Sequence, residues 1–228
     1  MSGSRALLVF AKTPKPGKVK TRLLAAVSAE VAAALHEACI ADTLRLASRT
    51  RGCDVFVFAA GGTRYFRGLL KKQGCGRRVR VLSQRGSDLG VRMENAFRKC
   101  FLMGYREVVV IGSDTPWMGA QRLRQAFAEL KSNGVVIGPA EDGGYYLLGL
   151  RKMVVEIFRG IPWSTERVLE LTLKAVARTK LRRKLLRRDF DLDRPEDMKR
   201  AARMFKRRPR VAPELAAAIA KIERVRYM

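Results

Sequence analysis

Residues 107–116 read Glu107-Val108-Val109-Val110-Ile111-Gly112-Ser113-Asp114-Thr115-Pro116. The run Val108–Ile111 is apolar and β-branched without polar alternation, which suits a strand buried on both faces. Such strands belong to parallel sheets covered by helices on either side. Thr115-Pro116 has the form of a helix N-cap followed by proline in the first turn. Between strand and helix stands Asp114. In open parallel sheets, ligands bind outside the carboxyl ends of the strands. An aspartate there can hold Mg²⁺ or Mn²⁺ through a carboxylate oxygen. Equally, Ser113 or Asp114 can simply cap the helix that follows.

The same pattern extends in both directions. Ala6–Ala11, Val55–Ala60, Val79–Leu82 and Val135–Ile137 are further short apolar runs, and Tyr145–Leu148 is another strand candidate. Helical stripes lie between them. Val27, Val31, Leu35 and Ala38 make one; Leu89, Met93, Ala96, Phe97 and Cys100 make a second, closed by Gly104 where a left-handed cap belongs. Helical patterning resumes from about Ser164 to Arg178, and a last amphipathic stretch begins at Pro213. Alternation of this kind predicts an α/β fold with a mostly parallel sheet. With no Gly-, Pro- or Ser-rich linker and no internal repeat, the division expected is one domain over 1–205 and a helical extension over 206–228 packed on it.

Composition excludes several chemistries. The 228 residues contain one histidine, so a Ser-His-Asp triad, a Cys-His dyad or a multi-His metal site must use His36 or none. His36 lies mid-helix and reads as ordinary surface or packing. Cys39, Cys53, Cys75 and Cys100 form no C-x-x-C pair, which argues against zinc and fits a reducing, cytoplasmic setting. Ala6–Ala11 is too short for a signal peptide core and leads into Lys12-Thr13-Pro14-Lys15, so no secretory leader is expected. No stretch approaches a membrane span. Lys plus Arg number 47 against 21 Asp plus Glu, a formal net charge of +26. This favours phosphorylated small molecules, nucleic acid or other polyanions, or anionic membrane surfaces. Fifteen basic and five acidic side chains fall between Arg178 and Arg210.

The segments after the strands carry the chemistry. Lys12-Thr13-Pro14-Lys15-Pro16-Gly17-Lys18-Val19-Lys20-Thr21-Arg22 offers a glycine for close backbone approach and cations matched to phosphate. It is not a Walker A loop, because Val19 follows Gly-Lys and the upstream glycine is missing; a solvated basic turn has the same composition. Gly138-Pro139-Ala140-Glu141-Asp142-Gly143-Gly144-Tyr145-Tyr146 suits a tight turn under a ligand or a hairpin. Asp189-Phe190-Asp191-Leu192-Asp193-Arg194-Pro195-Glu196-Asp197 gathers carboxylates for a metal, or for a capping box between Asp193 and Glu196.

Taken in order, Lys-x-Pro-x-x-Gly-Lys-x-Lys-Thr-Arg-Leu, Gly-Ser-Asp-x-Pro, Gly-Pro-Ala-Glu-Asp-Gly-Gly-Tyr-Tyr and Asp-x-Asp-x-Pro-Glu-Asp resemble the bacterial glycosyltransferase-like proteins of the nucleotide-diphospho-sugar transferase superfamily. Relatives of that group include phospholactate guanylyltransferase and the molybdenum-cofactor nucleotidyltransferases. Gln84–Met93 and Ile161–Thr165 match as well, and the likeness spans about residues 5 to 200. It implies a GT-A fold, a Rossmann-like αβα sandwich that binds a nucleoside di- or triphosphate. By the same resemblance Lys12, Gly17, Lys18 and Arg22 meet nucleotide phosphates, and Asp114 and Asp193 hold a divalent metal. Gly86, Asp88 and Arg92 lie near the base or acceptor, and Asp142, Gly143 and Gly144 line the acceptor side. Arg194 stands where relatives commonly carry Thr.

The function expected is metal-dependent nucleotidyl transfer from an NTP to a phosphorylated or carboxylated small acceptor, with Lys18, Arg22 and Asp114 catalytic and Mg²⁺ or Mn²⁺ as cofactor. The alternatives are glycosyl transfer from a nucleotide sugar and, in another class, polyanion or nucleic-acid binding on an inactive transferase fold. Sparse aromatics weigh against base stacking; the basic stretch has only Phe190 and Phe205.

Overall fold

The computed structural model describes residues 4–76, 78–208 and 210–226. Its centre is β1 (Arg5–Lys12), flanked in parallel by β2 (Asp54–Ala60) and β4 (Glu107–Ile111), with β3 (Val79–Ser83) parallel to β2. Beyond β4 the chain departs from a purely parallel plan. β6 (Tyr145–Leu150) is inserted antiparallel between β4 and β5 (Val135–Pro139), and β7 (Arg183–Leu185) closes the edge parallel to β5. Among the described residues the sheet has seven strands in the order β3-β2-β1-β4-β6-β5-β7.

Side-chain alternation along each strand divides the core in two. Leu7, Val9, Val55, Val57, Val109 and Ile111 face one way, against α1 (Ala29–Arg49), α2 (Thr63–Lys72) and α4 (Gly119–Leu130). Leu8, Phe56, Phe58, Val108 and Val110 face the other, against α3 (Leu89–Leu102) and α5 (Val168–Arg178). The result is the expected αβα sandwich with a mostly parallel central sheet.

A third core lies outside α1. Leu35 and Cys39 of α1 pack with Trp117, Phe190 and Leu192, with Met198 and Phe205 of α6 (Pro195–Arg207), and with Leu215 and Ile219 of α7 (Pro213–Arg226). A boundary at 205/206 falls in the last turn of α6. Among the described residues no helix is long and apolar enough to cross a membrane.

Two local expectations are corrected. Thr115 does stand at the N-cap with Pro116 in the first turn, but of a single 3₁₀ turn, Pro116–Met118, ahead of α4 at Gly119, and its hydroxyl donates to Asp191 rather than to the helix. The residue reaching back at the start of α6 is Asp197 rather than Glu196. Its Oδ2 accepts the backbone N–H groups of Asp193 at 3.1 Å and Arg194 at 2.7 Å, so the Asp193 carboxylate is not part of the cap.

Candidate active site at the carboxyl rim of the sheet

The loop after β1 ends at Lys20, which adopts φ 49°, a left-handed conformation that costs a side-chain-bearing residue roughly 1 kcal/mol. Two contacts hold it there. The buried Nζ donates to Asp114 Oδ1 at 2.6 Å and to the carbonyl of Leu192. Burial opposes charge on Lys20, but the charge and hydrogen bond of Asp114, with Cys39 and Asp193, together outweigh it, and the lysine's pKa lies above its ordinary value. For Asp114 burial acts upward, while Lys20 and then His36 hold the carboxyl below the usual range. The pair is therefore ionised, and the Asp114 side chain remains 44% exposed on its open side.

His36 is not ordinary helix surface. It is buried, with Nε2 3.0 Å from the Lys12 carbonyl and Nδ1 3.8 Å from Asp114 Oδ1. A carbonyl only accepts, so Nε2 carries the hydrogen. Burial lowers the His36 pKa against the opposing pull of Asp114, and the ring is neutral near pH 7. The helix stripe showed where α1 packs, but not that its partner there is the rim of the sheet.

Residues 189–193 form the second arm of the site. Leu192 N–H donates to the Asp114 carbonyl at 2.9 Å, and Ala140 forms a parallel bridge to Asp189. Phe190 stacks on Trp117 at 4.4 Å between ring centres, and Trp117 Nε1 donates to Asp189 Oδ1 at 3.1 Å. With Phe190 and Leu192 turned into the core, Asp191 and Asp193 line the cleft. Arg22 Nη1 meets Asp193 Oδ2 at 2.6 Å. Burial first, and then the Asp114 charge, push the Asp191 carboxyl up to about 7.

The third wall is the β5–β6 turn and the segment before α5. Asp142 Oδ1 accepts the Gly144 N–H at 2.9 Å. Gly143 has φ 88°, and a Cβ there would overlap the backbone of Glu166. Its carbonyl accepts the Leu169 N–H at 2.8 Å, which ties the turn to α5. Opposite, Trp163 presses on Gly90 of α3, and Leu89 and Met93 of that helix reach the cleft. The walls enclose about 1250 Å³.

Of the residues expected at the site, Arg22, Asp114, Asp142, Gly143, Gly144 and Asp193 line this cleft. Lys12, Gly17 and Lys18 do not: Lys12 Nζ turns back onto the Lys18 carbonyl at 2.8 Å, within the loop itself. Gly86, Asp88 and Arg92 also lie outside the lining. They form the entrance to α3, with Asp88 Oδ1 capping Val91 N–H at 3.0 Å and Arg92 Nε donating to the Gly86 carbonyl at 3.0 Å. Lys20, His36 and Asp191 were missed. Nothing in a loop of four lysines marks Lys20 as the inward one. Asp191 had a signal: the Asp-Phe-Asp-Leu-Asp alternation puts its carboxylates on one side of an extended segment.

Among the described residues no group of three or more His, Cys, Asp and Glu stands ready to hold a metal ion. The donor set nevertheless fits a hard cation that keeps waters and arrives with phosphates, which needs only one or two carboxylates. Asp114 has an open side, and the crowding that lifts Asp191 shows where positive charge would be welcome.

The same fold occurs in solved structures of very different sequence. The 4-diphosphocytidyl-2C-methyl-D-erythritol synthase of Anaerococcus prevotii DSM 20548 superposes with TM-score 0.60 at 10% identity, over 89% of this chain and 97% of that one. A CMP:2-keto-3-deoxy-manno-octonic acid synthetase complexed with CTP gives 0.56 at 10% identity, over 90% and 99%. These likenesses show the fold alone, an α/β sandwich with a mostly parallel sheet of GT-A type. No curated protein is significantly similar in sequence. A Desulfovibrio desulfuricans G20 protein designated "putative nucleotide-diphospho-sugar transferase" is 32% identical over 98% of this chain and 96% of its own, with TM-score 0.88. Residues 43–165 match the model of a family described as "Uncharacterized protein conserved in bacteria (DUF2064)". With more than half its length matched, and a relative so similar from end to end, the chain belongs to the DUF2064 family.

Proposed function

We propose that the protein is a nucleotidyltransferase that moves a nucleotidyl group from a nucleoside triphosphate to a phosphorylated or carboxylated small acceptor. The observation carrying this reading is the meeting of Lys20, Arg22, Asp114, Asp191 and Asp193 around one cleft at the carboxyl rim of the sheet. In the reaction, an acceptor oxyanion bonds to the α-phosphorus while the bond to the bridging oxygen breaks. Pyrophosphate leaves with the electron pair. The acceptor is already ionised at pH 7, so no general base is required, and a neutral His36 is consistent with that. Lys20 and Arg22 provide fixed positive charge where the phosphates gain negative charge, which lowers the barrier most in a site shielded from water. Lys20 takes the phosphate role that the resemblance gives to Lys18. Asp114 and Asp193 are the residues that would hold a Mg²⁺ or Mn²⁺ entering with the nucleotide, and the chemistry supplied there is added positive charge on the phosphates. Asp142, Gly143 and Gly144 face the acceptor.

Pyrophosphate release from each NTP, with phosphorylated and carboxylated acceptors and Mg²⁺ or Mn²⁺, tests the reading. Asp114→Asn should lower turnover by on the order of 100-fold or more. Because that change leaves Lys20 buried without its counter-ion, exposed Arg22→Ala serves as the second variant and should lose activity with its fold intact. Wild-type turnover in both variants would overturn the assignment. The designation of the Desulfovibrio relative favours a second reading, glycosyl transfer from a nucleotide sugar. Release of nucleoside diphosphate in place of pyrophosphate would select it.

A further inference from the structure

A second concavity, of about 1050 Å³, lies away from the cleft between α1, the end of α2 and α7. Small residues line it, Ala34, Ala38 and Ala41 of α1 and Ala217 and Ala218 of α7. Its rim is cationic. Arg45, Arg49, Lys72, Arg78 and Lys221 line it against two carboxylates, Glu37 and Glu214. Arg45 is neutralised, with Nη2 2.6 Å from Glu214 and Nη1 3.9 Å from Asp42. The other four have no carboxylate within salt-bridge distance among the described residues.

Helix dipoles account for part of this charge. Arg49 and Lys72 occupy the last turns of α1 and α2, where a cation is favoured. Arg78 follows the α2–β3 turn and Lys221 sits inside α7, so neither answers a helix end. Four uncompensated cations around a concave, low-dielectric surface focus positive potential more strongly than the same charges on a convex one. The volume is that of an ordinary small-molecule site.

We propose that this trough is a second anion site, separate from the cleft, that takes a small polyphosphorylated molecule. The phosphates lie among Arg49, Lys72, Arg78 and Lys221. The site does not depend on the reaction assigned to the cleft.

Inorganic tripolyphosphate is the probe, read by amide hydrogen exchange and by calorimetric titration. In the wild-type protein it should slow exchange in residues 69–78 and 214–221. Combined Arg49→Gln, Lys72→Gln, Arg78→Gln and Lys221→Gln substitution, which keeps side-chain length, should abolish that protection and weaken the matching binding event by about tenfold or more. A control with four charges removed at the sheet edge, Arg182→Gln, Arg183→Gln, Lys184→Gln and Arg187→Gln, should leave both unchanged. No protection in the wild type, protection that survives the trough substitutions, or equal loss in the control would overturn the proposal. The last result would reduce the effect to the overall charge of the chain.

Discussion

Gly143 and Gly144 are adjacent, both line the cleft, and cannot be told apart in the sequence, yet they answer to different forces. Gly143 has a positive φ, and its α-carbon lies so close to the Glu166 backbone that no Cβ fits. Gly144 has ordinary φ, and a Cβ there would meet only Asp142 Oδ1 at 3.2 Å, the end of a side chain that can yield. Gly143→Ala combines left-handed strain with a clash against backbone that cannot move alone, and should cost about 3 kcal/mol or more. Gly144→Ala should cost well under half as much. Thermal unfolding of the two variants side by side checks this, and equal losses would mean that the turn is not clamped to the start of α5. Lys20 teaches a related lesson. Its role follows from a backbone turn that aims one lysine of four inward, and a turn of that kind leaves no mark on composition or spacing.

At the scale of elements, the central strands were legible because burial on both faces writes itself as apolar runs, and each run singled out is a strand, whereas β7, exposed along its length, left no run to read. Their order was not. The Asp142-Gly143 hairpin signal is local, whereas the insertion of β6 between β4 and β5 depends on long-range pairing that no local pattern encodes. The docking of α7 was hidden for the same reason. Buried Asp42 in the middle of α1 accepts the backbone N–H groups of Glu214 at 3.2 Å and Leu215 at 2.9 Å, so a side chain 172 and 173 residues away caps the first turn of α7. Burial raises the Asp42 pKa, and the two N–H donors pull against that rise. Asp42→Ala should cost about 1–3 kcal/mol, a lost cap plus two orphaned donors. The loss should be uneven: amide exchange in α7 should accelerate well before that of β1 or β4. Uniform acceleration over the molecule would show that α7 is not a separately anchored element.

For the whole molecule, composition leaves the neutral pH range almost free of titration, and this exposes Asp191. Most carboxylates are ionised by pH 5, and lysine and arginine keep their protons well above pH 8. The one histidine is held below its ordinary range by burial. Asp191, pushed up to about 7, changes charge in the middle of that range. The sign follows from proton counts. In the unfolded chain this carboxyl gives up its proton near pH 4, whereas in the fold it keeps it to about 7. Between those limits the native state binds more protons than the unfolded state, so stability falls as pH rises and levels off above about 7. Asp191→Asn removes the titration but retains an oxygen to accept from Thr115 Oγ1. Thermal unfolding of both proteins at pH 5, 6.5 and 8, at one ionic strength so that repulsion within a +26 chain is constant, isolates the effect. The variant should gain on the wild type from pH 5 to 6.5 and by less from 6.5 to 8, because the contributions of every other group cancel in the difference. A difference that stays flat across the three pH values would mean that Asp191 is ionised throughout and that its crowding by Asp114 is relieved in solution.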